Sequence, residues 1–174
     1  MTRELYLLST SHKNNKYTEQ IVSLVGSPQT SQLIALRGEQ FKTTQLMLRA
    51  HGRPLSSYAM EFCLTLPRGF RLSVNDWRLI VDDCCRELVR HLKLTHSETI
   101  TFKKVIRAVL HQQPQYGRNG SGDHVHLIIG KVLEGRVLKN LQKKAATKLI
   151  KTVFNAAILK HCQIDHRLYN PTTR

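Results

Sequence analysis

The segment Asp123-His124-Val125-His126-Leu127-Ile128-Ile129-Gly130 constrains this chain more than any other. A short alternating run rich in β-branched residues reads as a strand, and in a strand residues two apart share a face. Val125, Leu127 and Ile129 are then committed to a core, and His124 and His126 present two imidazoles on the opposite face. The preceding apolar run, Val105-Ile106-Arg107-Ala108-Val109-Leu110, ends in His111. If 105–112 and 124–130 are antiparallel neighbours, all three imidazoles meet. Residues 113–123 are then the connecting loop, eased by Pro114, Gly117, Gly120 and Gly122. Three neutral imidazoles with open positions suit a divalent transition metal and leave room for a phosphate oxygen. An isolated His-x-His pair is more often structural than ligating. The third histidine, at a strand end beside a glycine-rich loop, makes the metal reading the stronger one.

The rest of the chain supplies a sheet and helices around this pair. Residues 4–8 read as a first strand, 17–25 as a short helix stopped by Gly26-Ser27-Pro28, and 40–48 as helical before a break at His51-Gly52-Arg53-Pro54. In 58–66, Tyr58, Met60, Phe62, Leu64 and Leu66 form the core face of a strand. Ala59, Glu61, Cys63 and Thr65 form a smaller face, with one acid, that looks into a site. Ser73, with Asp76 three residues on, opens a helix in which Trp77, Ile80, Val81, Cys84 and Leu88 repeat at helical spacing. Glu134-Gly135, between Val132-Leu133 and Val137-Leu138, marks a tight hairpin. A last helix runs from about Leu138 to His161, with Leu141, Ala145, Leu149, Val153 and Ala157 as its buried stripe. This order predicts a single α+β domain over 1–174, a central antiparallel sheet with helices packed on one face.

Lys+Arg number 27 against 12 Asp+Glu, a formal net charge of +15 that calls for a polyanionic partner, nucleic acid first. A hydrophobic content of 41% supports a packed core and excludes a disordered basic tail as the whole protein. No apolar run approaches the roughly 18 residues of a membrane span. The N-terminus lacks the plan of a signal peptide. Cys63, Cys84, Cys85 and Cys162 contain no CxxC, so a reduced, cytoplasmic protein is expected rather than a disulfide framework or a zinc ribbon. Lys103, Lys104 and Arg107 precede the first metal histidine, and Lys131, Arg136 and Lys139 follow the pair. With Lys143, Lys144, Lys148 and Lys151 they are expected to line a groove for single-stranded DNA, or for locally melted duplex. Aromatics make up only 6% of the chain, so recognition leans on phosphates rather than on extended stacking.

Taken in order, these segments resemble the HUH endonuclease superfamily of rolling-circle initiators and conjugative relaxases, whose signature is His-hydrophobic-His in a strand. The closer resemblance is to MobA/MobL-type relaxase domains. Leu64-Thr65-Leu66-Pro67-Arg68-Gly69 is similar to that family's strand-ending turn, and Leu72-Ser73 to its helix opening. Ala108-Val109-Leu110-His111 and His124-Val125-His126 are similar to its two histidine strands. Phe154-Asn155-Ala156-Ala157 and Ile164-Asp165-His166-Arg167 resemble its late helix and closing segment. The likeness covers about residues 58–169. Gly122-Asp123 stands where the family usually has Asn-Pro, and residues 1–57 match only in outline.

The resemblance implies a divalent metal, Mn or Mg, on His111, His124 and His126. It also implies a tyrosine whose phenol attacks a DNA phosphate, leaving a 5′-phosphotyrosine and a free 3′-hydroxyl. In relaxases that tyrosine precedes the histidines, which points to Tyr17. Tyr116, in the loop between the histidines, is the alternative, and Tyr6 and Tyr58 read as core residues. Glu61 stands where the family's strand carries an acid; it either orients a metal histidine, accepts the tyrosine proton, or pairs with a basic residue at the rim. The implied activity is metal-dependent, sequence-specific nicking of one DNA strand by a stand-alone enzyme of a mobile element. It would serve mobilisation or replication, or attack on a competing phage genome, with helicase or replication proteins as possible partners. A non-catalytic DNA-binding protein that keeps the fold, a rolling-circle replication initiator, and a hydrolase using activated water remain the rivals.

Overall fold

All seven residues of strand β3 (Ile106–Gln112) and six of the seven in β4 (His124–Gly130) are buried, as strands covered on both faces must be. They pair antiparallel, His111 opposite His124 and Ile106 opposite Ile129. The computed structural model describes residues 2–50, 54–116 and 121–168. Around the central pair, β1 (Gln20–Val25) flanks β3 and β2 (Ala59–Thr65) flanks β4, giving a four-stranded antiparallel sheet of order β1-β3-β4-β2. The fold is α+β, with five helices packed against this sheet.

Helices α3 (Val74–Leu92) and α5 (Lys144–Cys162) pack on the apolar face and against each other. Trp77 of α3, fully buried, stacks on Phe154 of α5 with ring centroids 6.1 Å apart. Each such side chain contributes about 1.5–3 kcal/mol of burial. The α3 cap is the one the sequence announces: Asp76 N–H donates to Ser73 Oγ at 3.1 Å, and Ser73 N–H to Asp76 Oδ2 at 3.2 Å. A second capping box, Thr95 with Glu98, opens the short α4 (His96–Lys103).

Helices α1 (Thr2–Leu8) and α2 (Pro28–Met47) lie toward the histidine face, joined by a hydrogen bond from Ser31 to Glu4. Arg107 of β3, with no exposed surface, holds α1 down. Its guanidinium donates to Glu4 Oε1 at 3.0 Å, Ser23 Oγ at 3.1 Å and the carbonyls of Val25 and Gly26 at 3.2 and 3.3 Å.

Several expectations are corrected. Residues 4–8 are helical, because Glu4 and Leu7, three apart, must reach the sheet together: one meets Arg107 and the other is fully buried. Residues 20–25 form a strand, and Tyr17 precedes it in a turn; a six-residue run with Ile21, Val22 and Val25 is too short for periodicity to separate helix from strand. Gly26 ends β1 at φ +68°, and a Cβ there would lie 2.7 Å from the Ile106 carbonyl. Helix α2 is far longer than 40–48. It buries only Ile34 and Gly38, so it carries little amphipathic pattern to read.

The hairpin turns at Glu134-Gly135 as expected, between β5 (Val132–Leu133) and β6 (Arg136–Val137), with φ of 47° and 74° at the turn. The last helix begins at Lys144, after a 3-10 turn over Lys139–Gln142. That turn resets the helical phase. Ala146, Ile150, Phe154, Ala157 and Ile158 are therefore the buried stripe, while Ala145 is exposed. The break at His51–Arg53, the loop glycines Gly117 and Gly120, and Tyr169 lie outside the described residues. Among the described residues no helix is long and apolar enough to cross a membrane, and all four cysteines are free thiols.

Candidate metal centre

The β3–β4 register brings the three imidazoles together. Ring centroids lie 5.3 Å apart for His111 and His124, 4.9 Å for His111 and His126, and 5.0 Å for His124 and His126. One nitrogen from each ring lies within 4.8 Å of the other two. The partners of the second nitrogens set the tautomers. His111 Nε2–H donates to the Leu7 carbonyl at 2.8 Å, His124 Nδ1–H to the Gly122 carbonyl at 3.0 Å, and His126 Nδ1–H to Glu61 Oε1 at 2.7 Å. This leaves His111 Nδ1, His124 Nε2 and His126 Nε2 with lone pairs to offer. Oriented imidazoles whose other nitrogen donates to carbonyl or carboxylate are the usual support of a metal site.

One of the offered atoms makes the fit to a cation specific. His111 Nδ1 is buried and has no hydrogen-bond partner. Such an orphan costs about 1–3 kcal/mol, a cost that a bound cation removes. Burial pushes His111 down to about 4, and burial also lowers His124, so both stand neutral and ligand-competent near pH 7. The donor set of three neutral nitrogens fits a divalent transition metal.

Two groups sit against this centre. Burial favours the protonated form of Glu61, but its hydrogen bonds and charge interactions with His126 and Arg3 outweigh that, and its carboxyl is held below the usual range. Among the described residues, Tyr6 is the tyrosine that reaches the histidines. Its Oη lies 3.4 Å from His126 Nε2, its ring meets His126 edge-on at 5.4 Å, and the Arg3 guanidinium stands 4.4 Å over the ring. Burial raises the Tyr6 phenol while Arg3 opposes it, with a net upward shift. The unpaired carbonyls at the end of α1 fix this placement. Asn15, buried, donates Nδ2 to Tyr6 O at 2.6 Å and to Ser9 O at 2.9 Å, and Leu7 O is taken by His111. Neither Tyr6 nor Asn15 was legible as a site residue, because both depend on residues 4–8 being helical.

The other expected site residues fall in different places. Tyr17 is 74% exposed, its ring beside Lys16 Nζ in the turn ahead of β1. Tyr116 is 78% exposed in the β3–β4 loop, its carbonyl bonded by Arg68. Asp123, fully buried, finishes that loop as expected. It accepts from Gln113 N–H at 2.7 Å, Gln115 Nε2 at 2.9 Å and Arg71 Nε at 3.3 Å.

Of the expected DNA-binding residues, Arg107 and Lys131 are buried, the one on Glu4 and the other on Ser57, so neither presents its charge to a phosphate. Lys103 and Lys104 are exposed, yet they enter β3 at the end opposite His111. Five strand residues, Ile106 to Leu110, about 17 Å of strand, lie between the turn that carries Lys104 and His111. Arg136 is paired with Glu98. Lys143, Lys144, Lys148 and Lys151 are exposed along α5. No family model, no curated protein and no solved structure matches this chain.

Proposed function

We propose that this chain is a metal-dependent DNA nickase whose nucleophile is Tyr6. The observation that carries the reading is a phenol 3.4 Å from a histidine nitrogen inside a cluster of three imidazoles, each of which donates its other nitrogen to a carbonyl or carboxylate. His111, His124 and His126 hold the divalent ion. When bound, that ion polarises a phosphate and offsets charge developing in the transition state. Tyr6 Oη attacks phosphorus; the bond from phosphorus to the 3′-oxygen breaks, leaving a 5′-phosphotyrosine and, after protonation, a free 3′-hydroxyl. Glu61, kept ionised by His126 and Arg3, orients the His126 ring and is the nearest carboxylate to take the phenolic proton. Arg3, about half exposed above the Tyr6 ring, is the cation placed to meet the phosphate. The +15 charge draws the chain to DNA.

The test is cleavage of pooled single-stranded DNA in Mn²⁺. His111→Ala and His126→Ala should each abolish nicking while DNA binding persists. Cleavage that survives both substitutions in chelator refutes the proposal.

A further inference from the structure

Strand β2 is an edge of the sheet, and its outer side is open in a way the other edge is not. Leu66 N–H donates to the Asp123 carbonyl and Lys131 N–H to the Tyr58 carbonyl, so even-numbered residues 58 to 66 direct their backbone groups at β4. Ala59, Glu61, Cys63 and Thr65 therefore aim their N–H and C=O groups outward, and among the described residues only the Ala59 carbonyl is taken, by the Ser57 hydroxyl. Edge strands are normally blunted by bulges, prolines or lysines. At the opposite edge, β1 has a register break between Ser23 and Val25. β2 runs seven residues in unbroken register with no proline, no lysine and one charge, Glu61, which is tied to His126 and Arg3.

A groove of about 780 Å³ lies along this edge, between β2 and α5. Phe62, Leu64, Ile150 and Phe154 give it an apolar wall, and Arg68 and Lys151 bring positive charge to its lining. We propose that this groove docks an extended peptide of a protein partner, with apolar and acidic residues sharing its α5-facing side at every second position, which adds to β2 as a fifth strand. Its backbone would pair with the four outward residues, and its α5-facing side chains, every second residue, would be apolar against Phe62 and Leu64 and acidic beside Lys151. A second copy of this chain is disfavoured as occupant, since each carries +15. Single-stranded nucleic acid is disfavoured because its backbone has no alternating N–H and C=O groups to pair with the four outward residues of β2. The inference does not rest on nicking. It places the docked strand beside the metal centre, since Glu61 belongs to both.

Two measurements test it. In amide hydrogen exchange of the free protein, Ala59, Glu61, Cys63 and Thr65 should exchange at least a hundredfold faster than Met60, Phe62 and Leu64. Equal protection means that the edge is already covered and overturns the proposal. A library of random ten-residue peptides displayed against the protein should enrich sequences in which apolar and acidic residues share one face at every second position. Those peptides should slow the four outward amides and lose at least tenfold in affinity to Thr65→Pro, whose N–H makes no ladder bond, and to Lys151→Glu. Lys151→Glu, on an exposed helix face, keeps the test decisive if the proline variant fails to fold. Peptides that ignore Lys151→Glu, no enrichment, or protection of the same amides by a single-stranded oligonucleotide instead would each overturn it.

Discussion

The placement of Tyr6 depends on a helix too short to stand alone. Seven residues lie well under the length at which an isolated helix is stable in water, so α1 stays folded through what it touches. Two anchors do most of this: the buried Leu7 side chain, and the Glu4–Arg107 pair, 3.0 Å apart, with the arginine fully buried and the carboxylate 15% exposed. Glu4→Ala leaves the guanidinium buried without its counter-charge. Breaking a buried pair typically costs about 3–5 kcal/mol. Because Ser23 Oγ and the carbonyls of Val25 and Gly26 continue to accept from Arg107, the lower end applies, about 3 kcal/mol. Released locally, that energy shifts α1 toward the detached state by roughly a hundredfold.

Urea unfolding should show the loss, and nicking should fall by up to about a hundredfold. Mn²⁺ affinity should fall less than nicking does, because the ligands themselves stand on β3 and β4 and the site loses only the Leu7 carbonyl that orients His111. The double variant Glu4→Leu with Arg107→Met, which removes both charges, should return stability to within about 1 kcal/mol of the parent. A Glu4→Ala protein with unchanged urea midpoint and unchanged nicking would refute this reasoning.

Other outcomes follow from the same geometry. In metal-free protein, the folded His111 pKa is about 4 against 6.5 for an unperturbed histidine. Above pH 6.5 the ring is neutral in both states; between 6.5 and 4 only the unfolded chain takes up the proton. Stability should therefore fall with acid across that window, by up to about 3 kcal/mol; urea midpoints at pH 7 and pH 4.5 measure it. Gly122→Ala places a Cβ 2.0 Å from the Leu66 carbonyl and pushes on the loop that orients His124, so it should cost about 1–3 kcal/mol and weaken Mn²⁺ binding, read by calorimetry. Glu61→Gln keeps an acceptor for His126 Nδ1–H but loses the charge, and should weaken metal binding about 10–100-fold with little change in urea midpoint.

The histidine centre was legible because strand geometry is strict: alternation fixes which of His124 and Val125 faces the core, and one antiparallel pairing then places His111. The face of β2 with Glu61 and the Ser73 cap were legible for the same local reasons. Tyr6 was not. Glu-Leu-Tyr-Leu-Leu fits a strand or a helix equally well over five residues, and only Arg107, a hundred residues away, decides between them. Arg107 itself was misplaced because composition counts charges without burying them. Lys103 and Lys104 were misplaced because neighbours in sequence stand at opposite ends of a strand. The stripe of α5 was displaced by a 3-10 turn that leaves no mark in the hydrophobic pattern.

The most direct measurement is the site of covalent attachment. The protein is incubated with pooled single-stranded DNA and Mn²⁺, digested with protease and nuclease, and the nucleotide-bearing peptide sequenced by mass spectrometry. The expected result is a nucleotide on Tyr6, absent in Tyr6→Phe and in His126→Ala and retained in Tyr17→Phe and Tyr116→Phe. A nucleotide on another tyrosine, or full metal-dependent cleavage by Tyr6→Phe with no adduct, would contradict it.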